Sequence, residues 1–528
     1  MKVSLIKSIV TVGGFTMVSR VTGFVRDVLI ANFLGAGLMA DAFFVAFKLP
    51  NLFRSLFAEG AFNVAFVPLF SELMETQNRQ KALEFGKEAF SALFYIVFLF
   101  CALMEAVMPA VVFLQAPGFA PDADKMAAAV FMSRVTFPYL LLVSLNSLQS
   151  GVLNSAGKFA AAALTPVILN LTMIASLFAF TPLTNGNHAY ALSFGVTAAG
   201  VLQLIWLVWH TRRAGLPLGL SAPLKVFKNA SREVRLLLKR VLPGVFGSGI
   251  YQINLFLDTM FVSFLSTGAV SWLYYANRLY QLPVGIIGAA IGTVLLPVLT
   301  RQLKAGQMAE AQENLHKSVL FAVFVSMPCA AALIALNYPI ISVLFERGAF
   351  DAQAAANTGV ALAAYAVGLP AYLLTKTFAP VFYARGDTAT PVKIAACALI
   401  AYVGLCFLLL PVLSYAGIAL ATAIVAWLNL CQYVYFILKR KLHTFSKRLV
   451  CQTLVLTASS VVSGVCMRAA YGCSFALCGD WLHGAMMMKI AVLGGLGAIG
   501  GIVFLAGAFA GGAVPLAAVK GILARRWK

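Results

Sequence analysis

The sequence predicts an all-α polytopic membrane protein of fourteen transmembrane helices, arranged as two six-helix lobes related by a parallel repeat, plus two extra C-terminal helices. Three observations lead there. Of the 528 residues 61% are hydrophobic and only 11% charged, with a mean hydropathy of +0.90, whereas soluble domains are about a quarter charged. The Val, Leu, Phe and Ala runs continue over about 20 residues, the length of a spanning helix, without the ten-residue alternation of a membrane barrel. Landmarks also recur in the same chain direction. Pro68 and Pro297 lie 229 residues apart, as do Gly157 and Gly386, while Leu34-Gly35-Ala36 and Pro50 answer to Thr267-Gly268-Ala269 and Pro283 at an offset of 233. Parallel repeats of this kind place a substrate route between the halves.

Read in order, the spans fall at about 8–33, 39–70, 88–110, 127–150, 158–181 and 188–210, making an N-lobe of residues 1–210. The first 20 residues look like a signal peptide, with Lys2 and Lys7 before an apolar run. No small-residue cleavage site precedes Arg20, so the segment reads as a retained first helix. A basic connector, 211–235, follows; from His210 to Arg240 eight Lys/Arg face one acid, Glu233, a composition suited to anionic headgroups on the cytoplasmic side. Spans at about 236–265, 269–299, 314–336, 354–380, 390–411 and 415–438 make a C-lobe of residues 236–440. A second basic connector, Lys439-Arg440-Lys441 to Lys447-Arg448, leads into residues 441–528, which hold two spans outside the repeat, at about 448–470 and 484–508, and a cytoplasmic tail.

The net charge of +21 follows this topology. With the N-terminus inside, only Lys125, Arg347 and Arg468 of the 39 Lys/Arg fall outside, eight lie within spans, and 28 are cytoplasmic. That asymmetry puts both termini in the cytoplasm and removes the case for a nucleic-acid partner. Short loops leave no room for a catalytic head. The five histidines sit in loops or at span ends, so no HExxH pair and no other metal site is expected. Seven of the nine cysteines read as buried small hydrophobes. Cys473 and Cys478 share an outward loop, where an oxidising periplasm would allow a local disulfide.

The informative residues are cations inside apolar spans, each costing several kcal/mol unless it meets water or a partner. Counted from the turn Leu34-Gly35-Ala36-Gly37, Arg20 lies about 21 Å deep, Arg54 about 25 Å, Arg26 about 12 Å and Asp41 about 6 Å; Arg278 lies about 15 Å beyond Gly268. Arg20 and Arg54 stand near the middle of their expected helices, too deep to snorkel. Local pairing suits Arg26, adjacent in depth to Asp41. In the first half Arg20, Arg26, Lys48, Arg54 and Arg134 outnumber Asp27, Asp41 and Glu59 by two, with Glu105 at a span's outer end left aside. A surplus of planar guanidinium forks suits phosphate oxygens. Pro50, Pro68, Pro138, Pro283, Pro297 and Pro370 interrupt helices and permit bends.

The stretch Ser19-Arg20-Val21-Thr22-Gly23-Phe24-Val25-Arg26-Asp27, then Ala40-Asp41-Ala42-Phe43, Leu49-Pro50-Asn51-Leu52-Phe53-Arg54 and Glu59-Gly60-Ala61-Phe62, resembles the MurJ (MviN) lipid II flippases of bacteria. The likeness continues through Trp272-Leu273-Tyr274-Tyr275-Ala276-Asn277-Arg278 and Phe382-Tyr383-Ala384-Arg385-Gly386-Asp387-Thr388, and covers the chain from end to end. The resemblance implies the MOP exporter fold, two lobes around a central cavity with helices thirteen and fourteen forming a groove for a polyprenyl tail. It implies lipid II as substrate, held by Arg20, Arg26, Arg54 and Arg278 with Asn51 beside them, and Asp27, Asp41 and Glu59 as gating or cavity acids. Asn277 departs from the Asp many relatives carry beside the arginine. A sodium site of some members would fall near Asp258, though this chain offers few matching ligands.

The resulting expectation is a transporter, not an enzyme, of the bacterial inner membrane. It requires no cofactor; coupling is to the membrane potential or to a monovalent cation. Its partners are lipid II and membrane lipids, with other cell-wall synthesis proteins as candidates. Two alternatives stand beside it. A cation-coupled drug or polysaccharide-lipid exporter of the same superfamily would prefer, for a cationic drug, surplus acids instead of the surplus cations counted above. A membrane enzyme acting on lipid-linked sugars would need interfacial carboxylate or histidine clusters, which do not appear.

Overall fold

Within lipid every backbone N–H and C=O must be satisfied by the protein itself, in a helix or a closed barrel, and apolar runs of about 20 residues satisfy them as helices. The computed structural model describes residues 5–54, 57, 61–76, 78–223 and 231–513. Glu59, residues 224–230 of the basic connector and the tail beyond Ala513 lie outside them. The described residues are helical, with one isolated bridge, Arg347 to Phe350, and no strand.

The chain divides into two compact units, Met1–Ser271 with Arg347–Phe350, and Trp272–Glu346 with Asp351–Lys528. The first contains α1 (Leu5–Leu34), α2 (Leu38–Arg54), α3 (Ala61–Thr76), α4 (Arg79–Ala106), α5 (Met108–Gln115), α6 (Ala123–Thr136), α7 (Tyr139–Ser155), α8 (Phe159–Ala179), α9 (His188–Arg213) and α10 (Arg232–Ser263). The second contains α11 (Ala269–Pro283, whose first residues belong to the first unit), a π turn at Val284–Gly288, α12 (Ala289–Lys304), α13 (Met308–Ala335), α14 (Asn337–Phe345), α15 (Ala352–Val367), α16 (Leu369–Tyr383), α17 (Ala389–Lys439), α18 (Lys447–Cys478) and α19 (Met486–Ala510). Helix starts follow their caps. The side chains of Asn78, Asp122, Asn187, Asp351 and Ser446 each accept a backbone N–H of the first turn they precede.

Element boundaries recur at the 229-residue offset. Arg79 and Met308 open α4 and α13, Met108 and Asn337 open α5 and α14, and Ala123 and Ala352 open α6 and α15. Gly157 and Gly386, paired by the same offset, both take left-handed φ, +72 and +76, the conformation a helix-ending turn asks of glycine.

Among the described residues nine helical stretches are long and apolar enough to cross a membrane. One of them, α17, has 51 residues and would be about 77 Å long if straight, more than twice a hydrocarbon core. It doubles back at Ser414, with φ 50 and ψ −133. Gly417 packs so closely on the other leg that a Cβ there would sit 2.6 Å from the Leu409 carbonyl oxygen.

The prolines act in different ways. Pro138 and Pro370 stand at breaks, between α6 and α7 and just after α15, and Pro283 precedes the π turn. Pro50, Pro68 and Pro297 lie inside helices. Pro50 donates no hydrogen bond to the Ala46 carbonyl, and the Thr136 hydroxyl takes that carbonyl at 3.2 Å. Of the span expected at 39–70 the described helices are Leu38–Arg54 and Ala61–Thr76, and Arg54 is the last residue described in α2.

The expected loop around Cys473 and Cys478 is the end of α18, and both thiols are free. Five residues of helix set their Cα atoms about 8.7 Å apart on different faces, beyond the roughly 7 Å limit for a disulfide. A membrane-impermeant thiol reagent is therefore expected to label Cys473, the exposed member of the pair, equally with and without prior reduction. Labelling that appears only after reduction would show a bridge.

Candidate substrate-binding site

At one end of the first unit the turn after α1 leads into α2, whose first turn buries Asp41 completely. Its Oδ2 accepts the Lys125 ammonium at 2.9 Å and the Gly268 N–H at 2.7 Å; its Oδ1 accepts the Ser271 N–H at 3.0 Å and hydroxyl at 2.7 Å. Four hydrogen bonds satisfy the carboxylate in a dry place and tie α2 to the start of α6, to the turn following α10 and to the first turn of α11. Lys125, expected in outside solvent, is buried, with its ammonium 4.3 Å from the centre of the Phe119 ring. The same end is clasped by backbone: Ala349 N–H donates to the Asn32 carbonyl at 2.8 Å, and Gly35 and Gly348, both at positive φ, leave no room for a Cβ there.

Arg26 is buried and pairs with Asp27, not with Asp41. Nε and one terminal nitrogen reach Asp27 Oδ1 at 3.0 and 2.7 Å, and the other terminal nitrogen donates to Asn170 Oδ1 at 2.9 Å. Asn170 is itself aimed by its amide, which donates to the Ser19 carbonyl at 3.0 Å and the Thr22 hydroxyl at 3.3 Å. Gly23 permits this approach, since a Cβ there would sit 3.2 Å from the Asn170 amide nitrogen. Arg20, two turns nearer the start of α1, is partly buried.

Arg54 lines a cavity of about 410 Å³ within the first unit, toward the end that carries the α7–α8 turn. Asn146, Ser150, Asn154 and Gln203 line it too, with Val12 of α1 closing one side. Gln203 donates to the Thr165 carbonyl at 2.7 Å, and the buried Asn146 Oδ1 has no partner. A cation set among amides and hydroxyls is suited to an anionic, hydroxyl-rich guest. Arg20, Arg26 and Asp41 do not line this cavity. Asn51 spends its amide on the Phe47 carbonyl, 2.7 Å away on its own helix.

Asp258 receives the Lys48 ammonium at 3.1 Å, both side chains partly exposed. The cation beside this carboxylate is thus part of the chain. Among the described residues no group of three or more His, Cys, Asp or Glu is arranged to hold a metal. In the second unit, Arg278 of α11 donates to the Tyr274 hydroxyl at 2.8 Å and lies over its ring, 4.9 Å from the centre. Asn277 accepts from Gln281 at 3.1 Å.

Sequence reasoning missed Asn146, Gln203 and Asn170. The signal was present as Asn146-Ser147 and Gln149-Ser150 inside a span, where each buried amide costs unless it is used.

The model of the family described as "Lipid II flippase MurJ" matches residues 30–492. A probable lipid II flippase MurJ of Rhizobium tropici is 44% identical over 467 residues, 87% of this chain and 86% of that protein. A solved structure of lipid II flippase MurJ in an inward closed conformation superposes with a TM-score of 0.76 at 25% identity, covering 93% of this chain and 98% of that one. An inward-facing multidrug resistance MATE transporter of the MOP superfamily shares the fold, with a TM-score of 0.66 at 14% identity over 80% of this chain and 95% of that one. The chain belongs to the MurJ family of lipid II flippases.

Proposed function

We infer that this protein carries lipid II, the undecaprenyl-diphosphate-linked precursor of peptidoglycan, from the inner to the outer leaflet by alternating access. It makes and breaks no covalent bond in doing so. Family membership along nearly the whole chain carries the reading, and the intramembrane cations supply its chemistry. Arg54, at the inner cavity, would take the diphosphate first, with Arg20 of the same unit as a further contact, and Arg278 is proposed as a substrate-binding arginine of the second unit. Arg26, locked onto Asp27 and Asn170, shapes the local field and holds α1 to α8. Asp41 and its four donors close the outer end and must release for the substrate to leave.

The membrane placement belongs to the same reading: fourteen spans with both termini in the cytoplasm, residues 1–210 and 236–440 as repeated lobes, 211–235 as connector and 441–528 as tail-binding pair and terminus. The recurring element boundaries and the paired left-handed glycines support the repeat. Other cell-wall synthesis proteins are proposed partners. Energy comes from the membrane potential, which acts with about 2.3 kcal/mol per charge per 100 mV and would draw an empty net-positive cavity back toward the inside. Lys48 beside Asp258 supplies an internal cation in place of a bound ion. Lipid II flipping by the reconstituted protein tests both parts. Accessibility of labelled lipid II in the outer leaflet should rise only with protein present, and faster with the inside negative. No protein-dependent rise would overturn the function; a rate indifferent to the imposed potential would overturn the coupling alone.

A further inference from the structure

On another face of the first unit, between α6, α7, α9 and the short turn Pro182–Thr184, runs an apolar groove of about 590 Å³. Phe180, Leu183, Phe194, Ala198 and Val201 form its walls, and it shares no residue with the cavity that Arg54 lines. One charge stands in it, Arg134 of α6, and that side chain is exposed. Among the described residues Arg134 makes no side-chain hydrogen bond and no ion pair. Glu105, at the end of α4, feels its charge without touching it, and the buried Glu105 Oε1 has no hydrogen-bond partner.

Arg134 lies eleven residues into α6, so its Cα is about 17 Å from the helix start. Helical side chains lean toward the N-terminus, which brings the guanidinium nearer the end where Leu183 and Thr184 line the groove. Five N–H donors facing hydrocarbon are costly unless an anion or water meets them. The anion a bilayer supplies is the phosphodiester, whose paired oxygens fit the guanidinium fork; in an anionic lipid no headgroup cation competes with the arginine for them. The apolar walls beside it offer cover for an acyl chain.

We propose that this groove binds one anionic glycerophospholipid of the leaflet at the α6 N-terminal side, its phosphodiester on Arg134 and one acyl chain along Phe194, Ala198 and Val201. The site lies outside the transport cavity and does not depend on the flippase reading. The test is thermal unfolding of the purified full chain in detergent with added dioleoyl phosphatidylglycerol or dioleoyl phosphatidylcholine. Phosphatidylglycerol should raise the midpoint more than phosphatidylcholine. Arg134→Ala should weaken its apparent affinity by about tenfold, the loss of one charge-assisted contact, and Ala198→Trp should remove the excess by filling the groove. Glu105→Gln should keep the excess, because the carboxylate competes with the lipid for Arg134. Equal responses to the two lipids in the parent, or an undiminished excess in Arg134→Ala, would overturn the site. If Arg134→Ala does not fold, Ala198→Trp decides alone, and an unchanged excess there overturns it.

Discussion

Asp41→Ala is expected to destabilise the protein by about 3–5 kcal/mol, the cost of leaving one member of a buried ion pair alone. The magnitude follows from what loses its partner: the buried Lys125 ammonium, the N–H groups of Gly268 and Ser271, and the Ser271 hydroxyl. Asp41→Asn keeps an acceptor for the N–H groups but not the charge opposite Lys125, so it should lie between parent and alanine. Pairing Asp41→Ala with Lys125→Met removes the stranded charge and should recover part of the loss, which a double-mutant cycle of thermal unfolding measures. Additive losses in that cycle would mean the pair holds nothing together. Recovery of stability without recovery of flipping would assign Asp41 a second role, in closing the outer end during the cycle.

The sequence and the structure agree where one physical rule dominates and part where several compete. Apolar run length alone sets α8, α9 and α19 close to the expected spans. The breaks within runs were less legible, because a proline marks a lost hydrogen bond without saying whether a neighbour replaces it. At Pro50 the Thr136 hydroxyl does so, from 86 residues away in sequence, and no local pattern announces such a donor. The cations were found by their cost in lipid, yet depth along a helix could not choose their partners. Arg26 and Asp41 are near in depth, but each is held by something else, Asp27 with Asn170 in one case and Lys125 in the other. The burial of Lys125 was not legible, because hydropathy locates the end of an apolar run and does not say whether a charge there folds back onto a neighbouring helix, as Lys125 does onto α2. Cys473 and Cys478 were misread because α18 continues past its apolar run, where Gly and Ser lower hydropathy without ending a helix.

Arg54→Ala and Arg26→Ala should fail differently, and the difference separates a substrate grip from a structural tie. Arg54 faces the open cavity, so its alanine variant should reach the membrane folded, with a thermal midpoint near the parent's, and should not support growth when the native flippase is depleted. Arg54→Lys retains the charge and loses the fork, so a partial defect is expected. Each charge-assisted contact to phosphate contributes roughly 1.5–3 kcal/mol, enough for a tenfold or greater loss of binding. Arg26 is buried against Asp27 and Asn170, so Arg26→Ala strands a carboxylate and an amide and should lower stability by several kcal/mol before any effect on transport is read. Arg26→Lys cannot span both partners and should rescue little. Arg20→Ala and Arg278→Ala, at partly buried positions, should follow the Arg54 pattern. Parental flipping of lipid II by folded Arg54→Ala would sink the cavity assignment, and a fully stable Arg26→Ala would show that the pair with Asp27 is not what holds α1 in place.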